Sequence, residues 1–348
     1  MLKLSIIIPV YNAAATLKST VESIGTEEEL EILLIEDASA DNSAALCRKL
    51  AQNDRRIRCI FHSQNRGVSA ARNDGMMQAK GKWVLFADAD DRFVPGAVRQ
   101  ILTYADRLKA DLLCFNCLFE SRTLRPGQSI ALRQFCVPKH LAVHLCEDLY
   151  GLQSSRFCGE MFRAVWGKLF LREKLLQSGV LFPPDMPIGE DCIFLMRFFE
   201  TAPKTEFADA CWYVHCTGAP SAVRSAKPDL LTLQMHEYRA LLLEKTRLHG
   251  ADWDTMLYSF LLHAAESWAA NERRRGAKAP AVYRRTLHYL QNRPMDVPRG
   301  FDPARLHRSE RARARFLQFH FLRAEAAAAT LLAWKRATKQ TCPKRNNP

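Results

Sequence analysis

Three aspartates stand close together at the end of an apolar run, and their spacing is suited to holding a cation. The run Trp83–Ala87 is followed directly by Asp88, Asp90 and Asp91, with one alanine between the first two acids. The run predicts a short buried strand, and open α/β sheets bind their ligands at the edge where such strands end. A divalent cation with oxygen ligands would relieve the repulsion among the carboxylates. The same acids also fit a solvated turn that caps the next helix.

Glu190 and Asp191 form a second acidic pair, which follows a segment that must be extended. Three prolines stand within positions 183–187, and a proline disfavours helix in the residue before it. The apolar spacing of Cys192–Glu200 then predicts a helix with both acids in its first turn. Acids at this position often only complement the helix dipole, so the pair alone does not establish a catalytic group.

The first 120 residues alternate between predicted strands and predicted helices. Helices are predicted over Ala14–Ile24, up to about Gln52, up to about Ala79, and from Pro95 onward. This alternation is typical of βαβ units and a parallel sheet. No G-x-G-x-x-G or Walker loop follows any strand, which argues against a dinucleotide site or a P-loop. The predicted strands are Leu4–Val10, Leu30–Ile35, Ile57–Phe61, Trp83–Ala87 and Asp111–Phe119.

The later part of the chain has a less regular pattern that gives way to helices. Phe157–Phe170 is aromatic and compatible with a helix, whereas Thr205–Ala208 and Cys211–Val214 predict two short strands. Beyond about Lys227 the pattern is helical. The helices predicted there are Leu230–Leu248, Trp253–Asn271, Val282–Gln291 and Leu306–Lys335.

The basic character of the chain is confined to its C-terminal part. The 348 residues carry a net charge of +13, and residues 271–348 alone hold 19 Lys or Arg against 5 Asp or Glu. In the last predicted helix, arginines are followed by aromatic side chains. Such a helix is suited to an anionic membrane surface, but it also fits nucleic-acid binding or a plain solvated face.

The cysteines and the N-terminus exclude some classes of protein. The eleven cysteines lack a regular framework, and the one CxxC, from Cys114 to Cys117, lies in a predicted strand. Buried thiols in a reducing compartment therefore account for it better than zinc. No apolar segment reaches 18 residues, so no transmembrane helix is expected. The N-terminal apolar stretch is short and interrupted by Pro9, which predicts a strand of a cytoplasmic protein rather than a signal peptide.

Several short segments, taken together, resemble the family 2 glycosyltransferases, which have the GT-A fold. Position 38 departs from the family, which more often has glycine there, and Ala40 stands where threonine is common. The segments that carry the resemblance are Ser5–Asn12, Glu36–Ser43, Asn65–Asn73, Gly81–Trp83, Asp88–Asp91, Val165–Leu169 and Gly189–Asp191.

The resemblance implies an α/β fold with a mostly parallel nucleotide-binding sheet flanked by helices, and a helical, basic C-terminal extension. The GT-A domain is expected over residues 1–225, with a nucleotide-sugar half at 1–120 and an acceptor half at 121–225. Residues 226–348 are expected to form the basic helical region, attached to a membrane surface.

The resemblance also implies which residues hold the donor nucleotide. Pro9, Tyr11 and Asn12 correspond to positions that hold the base and ribose. Asp37 resembles the residue that accepts a hydrogen bond from uracil N3–H, a role that suits a carboxylate. Arg72 is similar to a residue that lies beside the base or the diphosphate.

The two acidic segments gain roles from the same resemblance. Asp88 and Asp90 form a DXD motif. Asp88 is expected near the ribose and donor sugar and Asp90 on Mn²⁺ or Mg²⁺, and both are expected to belong to the metal site. Asp191 stands where the family has its catalytic base, which takes the proton of the acceptor hydroxyl. Glu190 is expected to help place the acceptor or the helix start, and Asp91 to be a structural cap.

The resemblance also bears on Trp166 and His215. Trp166 is expected to pack in the interior rather than line the acceptor side. His215, in a segment that resembles the loop closing over the diphosphate, either reaches a phosphate or the metal, or is structural.

The resemblance implies a metal-dependent, inverting hexosyl- or N-acetylhexosaminyltransferase with a UDP-linked donor. Its expected acceptor is a glycan or lipid-linked saccharide in lipopolysaccharide or capsule biosynthesis, at the inner face of the cell membrane. A nucleic-acid-binding protein that acts through its basic C-terminal region is the alternative. The N-terminus lacks the Gly-rich signature of a nucleotidyltransferase. The sequence does not specify which sugar is transferred, which acceptor hydroxyl receives it, or the oligomeric state.

Overall fold

The computed structural model describes residues 2–119, 164–186, 188–201, 203–216 and 230–245, and the single positions 257, 260, 267, 271 and 275. Its strands are β1 (Leu4–Val10), β2 (Leu30–Glu36), β3 (Ile57–Phe61), β4 (Trp83–Phe86), β5 (Arg92–Phe93), β6 (Leu112–Phe119), β7 (Lys168–Leu171) and β8 (Thr205–His215). Its helices are α1 (Leu17–Ser23), α2 (Ser43–Asn53), α3 (Gly67–Gln78), α4 (Ala97–Ala105), α5 (Arg172–Gln177), α6 (Glu190–Glu200) and α7 (Leu230–Lys245).

The strands form one sheet in the order β3-β2-β1-β4-β7-β6-β8-β5. The four strands β3, β2, β1 and β4 are mutually parallel. Strand β7 runs antiparallel to both of its neighbours, and β5 runs antiparallel to β8, whereas β6 and β8 are parallel. The predicted mostly parallel sheet flanked by helices is therefore confirmed.

The central strands are apolar because both of their faces are covered. Ile6, Ile7 and Ile8 of β1 are all fully buried, and burying one such side chain contributes roughly 1.5–3 kcal/mol. Helix α3 approaches this sheet closely at Gly75, where an added Cβ would lie 2.5 Å from Ile7 Cγ2 and 2.9 Å from Ile35 Cδ1. The glycine thus allows α3 to lie directly against β1 and β2.

Two predictions for the second half of the chain are wrong in detail. The region 157–170 was predicted to be compatible with a helix, but its last residues belong to strand β7 (Lys168–Leu171). This strand lies between β4 and β6, so pairing on both edges overrides its local preference. The two short strands predicted at Thr205–Ala208 and Cys211–Val214 are one strand, Thr205–His215, which contains an irregularity in its pairing with β6.

Of the four helices predicted beyond residue 227, the first lies almost entirely within the described residues. The helix predicted over Leu230–Leu248 is present as Leu230–Lys245. The predicted helices Trp253–Asn271, Val282–Gln291 and Leu306–Lys335 fall outside the described residues, apart from the single positions in the first of them.

A cluster of phenylalanines holds helix α6 against the sheet. The rings of Phe182 and Phe194 stack with centroids 3.8 Å apart. Phe86 of β4 contacts both rings edge-on, at 5.3 and 6.3 Å, and Phe170 of β7 lies 5.3 Å from Phe198. Because α6 begins with Glu190 and Asp191, this packing fixes the position of the second acidic pair.

The chain divides into two compact units, residues 1–145 with 157–225, and residues 146–156 with 226–348. The assignment of an acceptor half to 121–225 and of membrane attachment to 226–348 stays a prediction. In the described part of the chain, none of the helices has the length and apolar character needed to cross a membrane.

Candidate active site

The loops that follow β1, β2 and β4 meet at one edge of the sheet. The strand order places β2 on one side of β1 and β4 on the other, and a crevice forms where the chain changes direction in this way. Pro9 lies at the end of β1, and the Tyr11 side chain that follows is 52% exposed. Pro9 and Tyr11, which are predicted to bind the nucleotide, therefore lie at the carboxyl edge of the parallel strands.

The loops after β1 and β2 are joined by hydrogen bonds. The backbone N–H of Asn12 donates to Ser39 Oγ at 3.0 Å, and Asn12 Oδ1 accepts from the N–H of Ala40 at 2.8 Å. The N–H of Ala13 donates to Ser43 Oγ at 2.8 Å. Asn12 thus has a structural contact at its side-chain oxygen, in addition to its predicted role toward the nucleotide.

Two residues of these loops have left-handed backbone conformations. Asn12 has φ 50° and Ala38 has φ 54°. Asparagine tolerates this region, but alanine does so only at a cost, whereas glycine adopts it freely. The conformation gives a physical reason why the family that the sequence resembles more often has glycine at position 38.

Asp37 joins the end of β2 to the start of α3. It is 3% exposed. Its Oδ1 accepts hydrogen bonds from the N–H of Arg66 at 2.8 Å and from His62 Nδ1 at 2.6 Å. Its Oδ2 accepts from the N–H of Gly67 at 2.8 Å. The carboxylate therefore caps the N-terminus of α3, a contact that was not predicted from the sequence.

Arg72 of α3 connects three carboxylates that are distant in sequence. Its Nη2 lies 3.1 Å from Asp88 Oδ1, and its Nη1 lies 2.8 Å from Glu190 Oε1 and 2.5 Å from Asp191 Oδ1. The arginine is 3% exposed. The structure thus brings together the acidic loop after β4 and the acidic pair at the start of α6, with the predicted donor-binding arginine between them.

Asp191 is a carboxylate whose surroundings favour a proton. Its Oδ2 accepts a hydrogen bond from the N–H of Val165 at 3.0 Å. The pKa of Asp191 is raised to about 7, because burial and the charges of Glu190 and Asp88 together outweigh the opposing effect of Arg72. A carboxylate with this pKa is suited to general-base work near neutral pH.

The acidic loop after β4 contains two kinds of aspartate. One oxygen each from Asp88, Asp90 and Asp91 lie within 4.8 Å of one another. The fully buried Asp91 accepts hydrogen bonds from Tyr213 Oη at 2.8 Å and the N–H of Cys216 at 2.8 Å. Its structural role agrees with the prediction, and it leaves Asp88 and Asp90 as the pair suited to a cation.

Asp90 lies close to like charges. Burial, followed by the charges of Asp88 and Asp91, raises the pKa of Asp90 to about 6. A divalent cation between Asp88 and Asp90 would offset this repulsion, so the residues fit the predicted Mn²⁺ or Mg²⁺.

Side chains of strand β8 contact the acidic loop that follows β4. Tyr213 Oη donates to Asp91 and accepts from the N–H of Asp88 at 2.9 Å. His215 Nδ1 lies 3.2 Å from the Asp91 carboxylate, which raises the pKa of the histidine. Trp166 is buried and stacks on Tyr213 at 5.5 Å and on His215 at 5.6 Å, in agreement with its predicted packing role.

Comparison with known proteins relates this chain to one family. Residues 5–135 match the profile described as Glycosyl transferase family 2. The chain is 31% identical to the uncharacterized glycosyltransferase YibD of Escherichia coli strain K12 over 261 residues, which cover 72% of each chain. It is also 31% identical to the uncharacterized glycosyltransferase EpsJ of Bacillus subtilis strain 168 over 219 residues. That match covers 61% of this chain and 60% of EpsJ.

A solved structure shares the fold. S. aureus TarS 1–349 in complex with UDP-GlcNAc superposes with a TM-score of 0.62, covering 99% of this chain and 94% of TarS 1–349 at 17% identity. The architecture is therefore of the GT-A type, as the sequence predicts.

Proposed function

Because the chain belongs to the family 2 glycosyltransferases and is a glycosyltransferase, we propose that it transfers a sugar from a UDP-linked donor with inversion. The acceptor is a hydroxyl of a glycan or lipid-linked saccharide. The observation that carries this proposal is the buried Arg72, which contacts Asp88 of the acidic loop and Asp191 at the start of α6. The residues proposed for the donor side and for the base thus contact the same arginine side chain.

The UDP-linked donor is supported by the loops at the carboxyl edge of the sheet. Pro9 lies near the end of β1, Tyr11 and Asn12 follow that strand, and Asp37 directly follows the neighbouring strand β2. A fixed carboxylate at this edge suits a base that presents an N–H, as uracil does. TarS, which shares the fold, has been solved with UDP-GlcNAc.

Asp88 and Asp90 would hold Mn²⁺ or Mg²⁺. Their oxygens are close together, and the raised pKa of Asp90 reflects burial and repulsion that a cation would offset. When bound, such a cation neutralises charge on the diphosphate leaving group.

Asp191 acts as the general base in this proposal. Its carboxylate takes the proton of the acceptor hydroxyl while the hydroxyl oxygen forms a bond to the anomeric carbon. The bond from that carbon to the diphosphate oxygen breaks with its electron pair, and UDP leaves from the opposite face. The N–H of Val165 and Arg72 fix the orientation of the base, since each contacts a different oxygen of Asp191.

Arg72 has a positioning role in this mechanism. It is buried, its guanidinium carbon lies 5.4 Å from the centroid of the Phe182 ring, and it contacts three carboxylates. A buried arginine with this number of partners cannot change its rotamer without leaving charges unpaired. It therefore maintains a constant separation between Asp88 on the donor side and Asp191.

The acceptor class and the location are proposed from the sequence. The basic residues of 271–348 suit an anionic membrane surface, where a lipid-linked saccharide would be presented. We therefore propose that the enzyme acts in surface polysaccharide biosynthesis, peripherally at the inner face of the cell membrane.

A donor screen tests the proposal. The full chain is incubated with UDP-glucose, UDP-galactose, their N-acetyl forms and GDP-mannose, with Mn²⁺ or with EDTA, and nucleotide release is measured with lipid-linked acceptors. We expect release from a UDP-sugar with Mn²⁺, loss of release with EDTA, and a drop of about 100-fold in Asp90→Asn. Asp106→Asn, which affects an ion pair with Lys3 at the other end of β1, serves as the control. Release only from GDP-mannose, or full activity in EDTA, would reject the donor or the metal dependence respectively.

A further inference from the structure

His62 lies directly after β3, with a carboxylate at each of its ring nitrogens. Nδ1 is 2.6 Å from Asp37 Oδ1, and Nε2 is 3.0 Å from Asp74 Oδ2. The side chains of His62 and Asp37 are each only 4% exposed. Since a carboxylate accepts hydrogen bonds, the short contact assigns the Nδ1 proton to the bond with Asp37.

The far side of the imidazole is held by an ion pair. The guanidinium of Arg66 lies 2.5 Å from Asp74 Oδ2 and 3.4 Å from His62 Nε2. His62 is thus confined between Asp37 on one side and the pair of Arg66 and Asp74 on the other. The ring cannot rotate without giving up the contacts at both nitrogens.

The contacts of Asp37 leave it little remaining capacity to accept hydrogen bonds. Its Oδ1 receives His62 Nδ1 and the N–H of Arg66, and its Oδ2 receives the N–H of Gly67. An ionised carboxylate has about four lone-pair sites. One site therefore remains, on Oδ2, and its direction depends on the rotation of the carboxylate group.

We propose that His62 is a positioning residue for nucleobase selection. By donating to Oδ1 it fixes the rotation of the Asp37 carboxylate jointly with the N–H groups of Arg66 and Gly67, so that the remaining site of Oδ2 receives one N–H donor from the base. The inference rests on the proposed function, in which Asp37 reads the uracil of the donor. It adds a second residue, without contact to the ligand, on which the selection of uracil depends.

Comparison of UDP with CDP isolates this selection. Uracil carries a hydrogen on N3, whereas N3 of cytosine is an acceptor that a carboxylate repels. The two nucleotides share the ribose and the diphosphate. A change that only loosens the fold weakens the binding of UDP and CDP equally. A change in the direction of Oδ2 instead alters the ratio of their dissociation constants.

The experiment measures UDP and CDP binding by calorimetry with Mg²⁺, using the full chain and three variants. We expect the native protein to prefer UDP and Asp37→Asn to lose most of that preference. His62→Leu, which removes the donor, should reduce the CDP-to-UDP ratio of dissociation constants by about fivefold or more. His62→Asn places an amide N–H near the position of Nδ1, so it should retain most of the native ratio.

The outcomes separate this inference from the proposed function. If the native protein does not prefer UDP, or if Asp37→Asn leaves the ratio unchanged, the proposed uracil contact fails and the inference fails with it. If Asp37→Asn lowers the CDP-to-UDP ratio of dissociation constants, but His62→Leu weakens the binding of both nucleotides equally or has no effect, only the inference is overturned. A loss of selectivity in His62→Asn as large as in His62→Leu would also overturn it.

Discussion

Asp191 lies among groups that shift its pKa in opposite directions. Arg72 of α3 stabilises the charged form, whereas burial, the neighbouring Glu190 and Asp88 after β4 destabilise it. Lys168 of β7 also interacts with Asp191 electrostatically. The charged form is therefore available near neutral pH, while the group stays basic enough to accept a proton.

The pH dependence of turnover follows from this balance. A general base works only when deprotonated, so the rate should rise with pH and reach a plateau above about 7, the pKa of Asp191. Steady-state kinetics from pH 5 to 9 at saturating donor measures this rising part of the pH–rate profile, the acidic limb. A rate that is flat or falls across this range would contradict the assignment of Asp191 as the base.

Two substitutions should displace that limb in opposite directions. Glu190→Gln removes a like charge and leaves Arg72 more available to Asp191, so the limb should move to lower pH by about one unit. Arg72→Gln removes the stabilising cation, so the limb should move to higher pH. The same direction of shift in both variants would show that the limb reports another group.

At the scale of secondary structure, the loop after β2 contains a strained alanine. Ala38 has φ 54°, whereas the backbone of the exposed Ala40 has a negative φ. Ala38→Gly should raise the free energy of unfolding by roughly 0.5–1 kcal/mol, because relief of strain exceeds the entropy that glycine adds to the unfolded chain. Ala40→Gly is the matched control and should lower it. Urea denaturation measures both, and a loss of stability in Ala38→Gly would contradict the strain.

The acidic loop and β8 depend on each other through Asp91. Asp91→Ala leaves the buried donors of Tyr213 and Cys216 without their acceptor, so unfolding should become easier by about 3 kcal/mol. Asp90→Ala removes a carboxylate destabilised by burial and repulsion, so it should cost little stability while removing metal-dependent activity. Denaturant titration of both variants tests whether Asp91 is the structural and Asp90 the functional aspartate. This assignment fails if Asp90→Ala is the more destabilising change.

The sequence predicted the first half of the sheet because its elements follow local patterns. The apolar runs of β1, β2, β3 and β4 alternate with helices, and their ends carry the acids and turn residues at one edge. Strand β7 was missed because it is short and is defined by its pairing with β4 and β6. Such pairing joins segments distant in sequence, which local periodicity does not detect.

The candidate site could likewise be predicted residue by residue but not as an arrangement. The types of Asp88, Asp191 and Arg72 indicated their chemistry, yet the contacts among them join positions as far apart as 72 and 191. Only the tertiary fold brings them together. The contacts of Asp37 with His62 had a weak signal, since both residues stand at the ends of adjacent parallel strands.

At the scale of the whole molecule, the uneven charge predicts where the enzyme works. Residues 271–348 hold 19 of the 50 basic residues, so binding to anionic vesicles should be strong at low salt and weaken as salt screens the charges. Truncation after Gln291 should reduce this binding, as measured by co-sedimentation. Undiminished vesicle binding by the truncated chain would exclude the C-terminal region as the anchor, and stronger retention on DNA than on vesicles would favour the nucleic-acid alternative.

The central claim is that Asp191 removes the acceptor proton while the donor is held elsewhere in the site. The most direct measurement combines UDP calorimetry with turnover of the preferred UDP-sugar in Asp191→Asn. We expect kcat to fall by at least about 100-fold, while the dissociation constant for UDP changes by less than about threefold. Turnover close to the native rate, or equal losses in turnover and UDP binding, would contradict it.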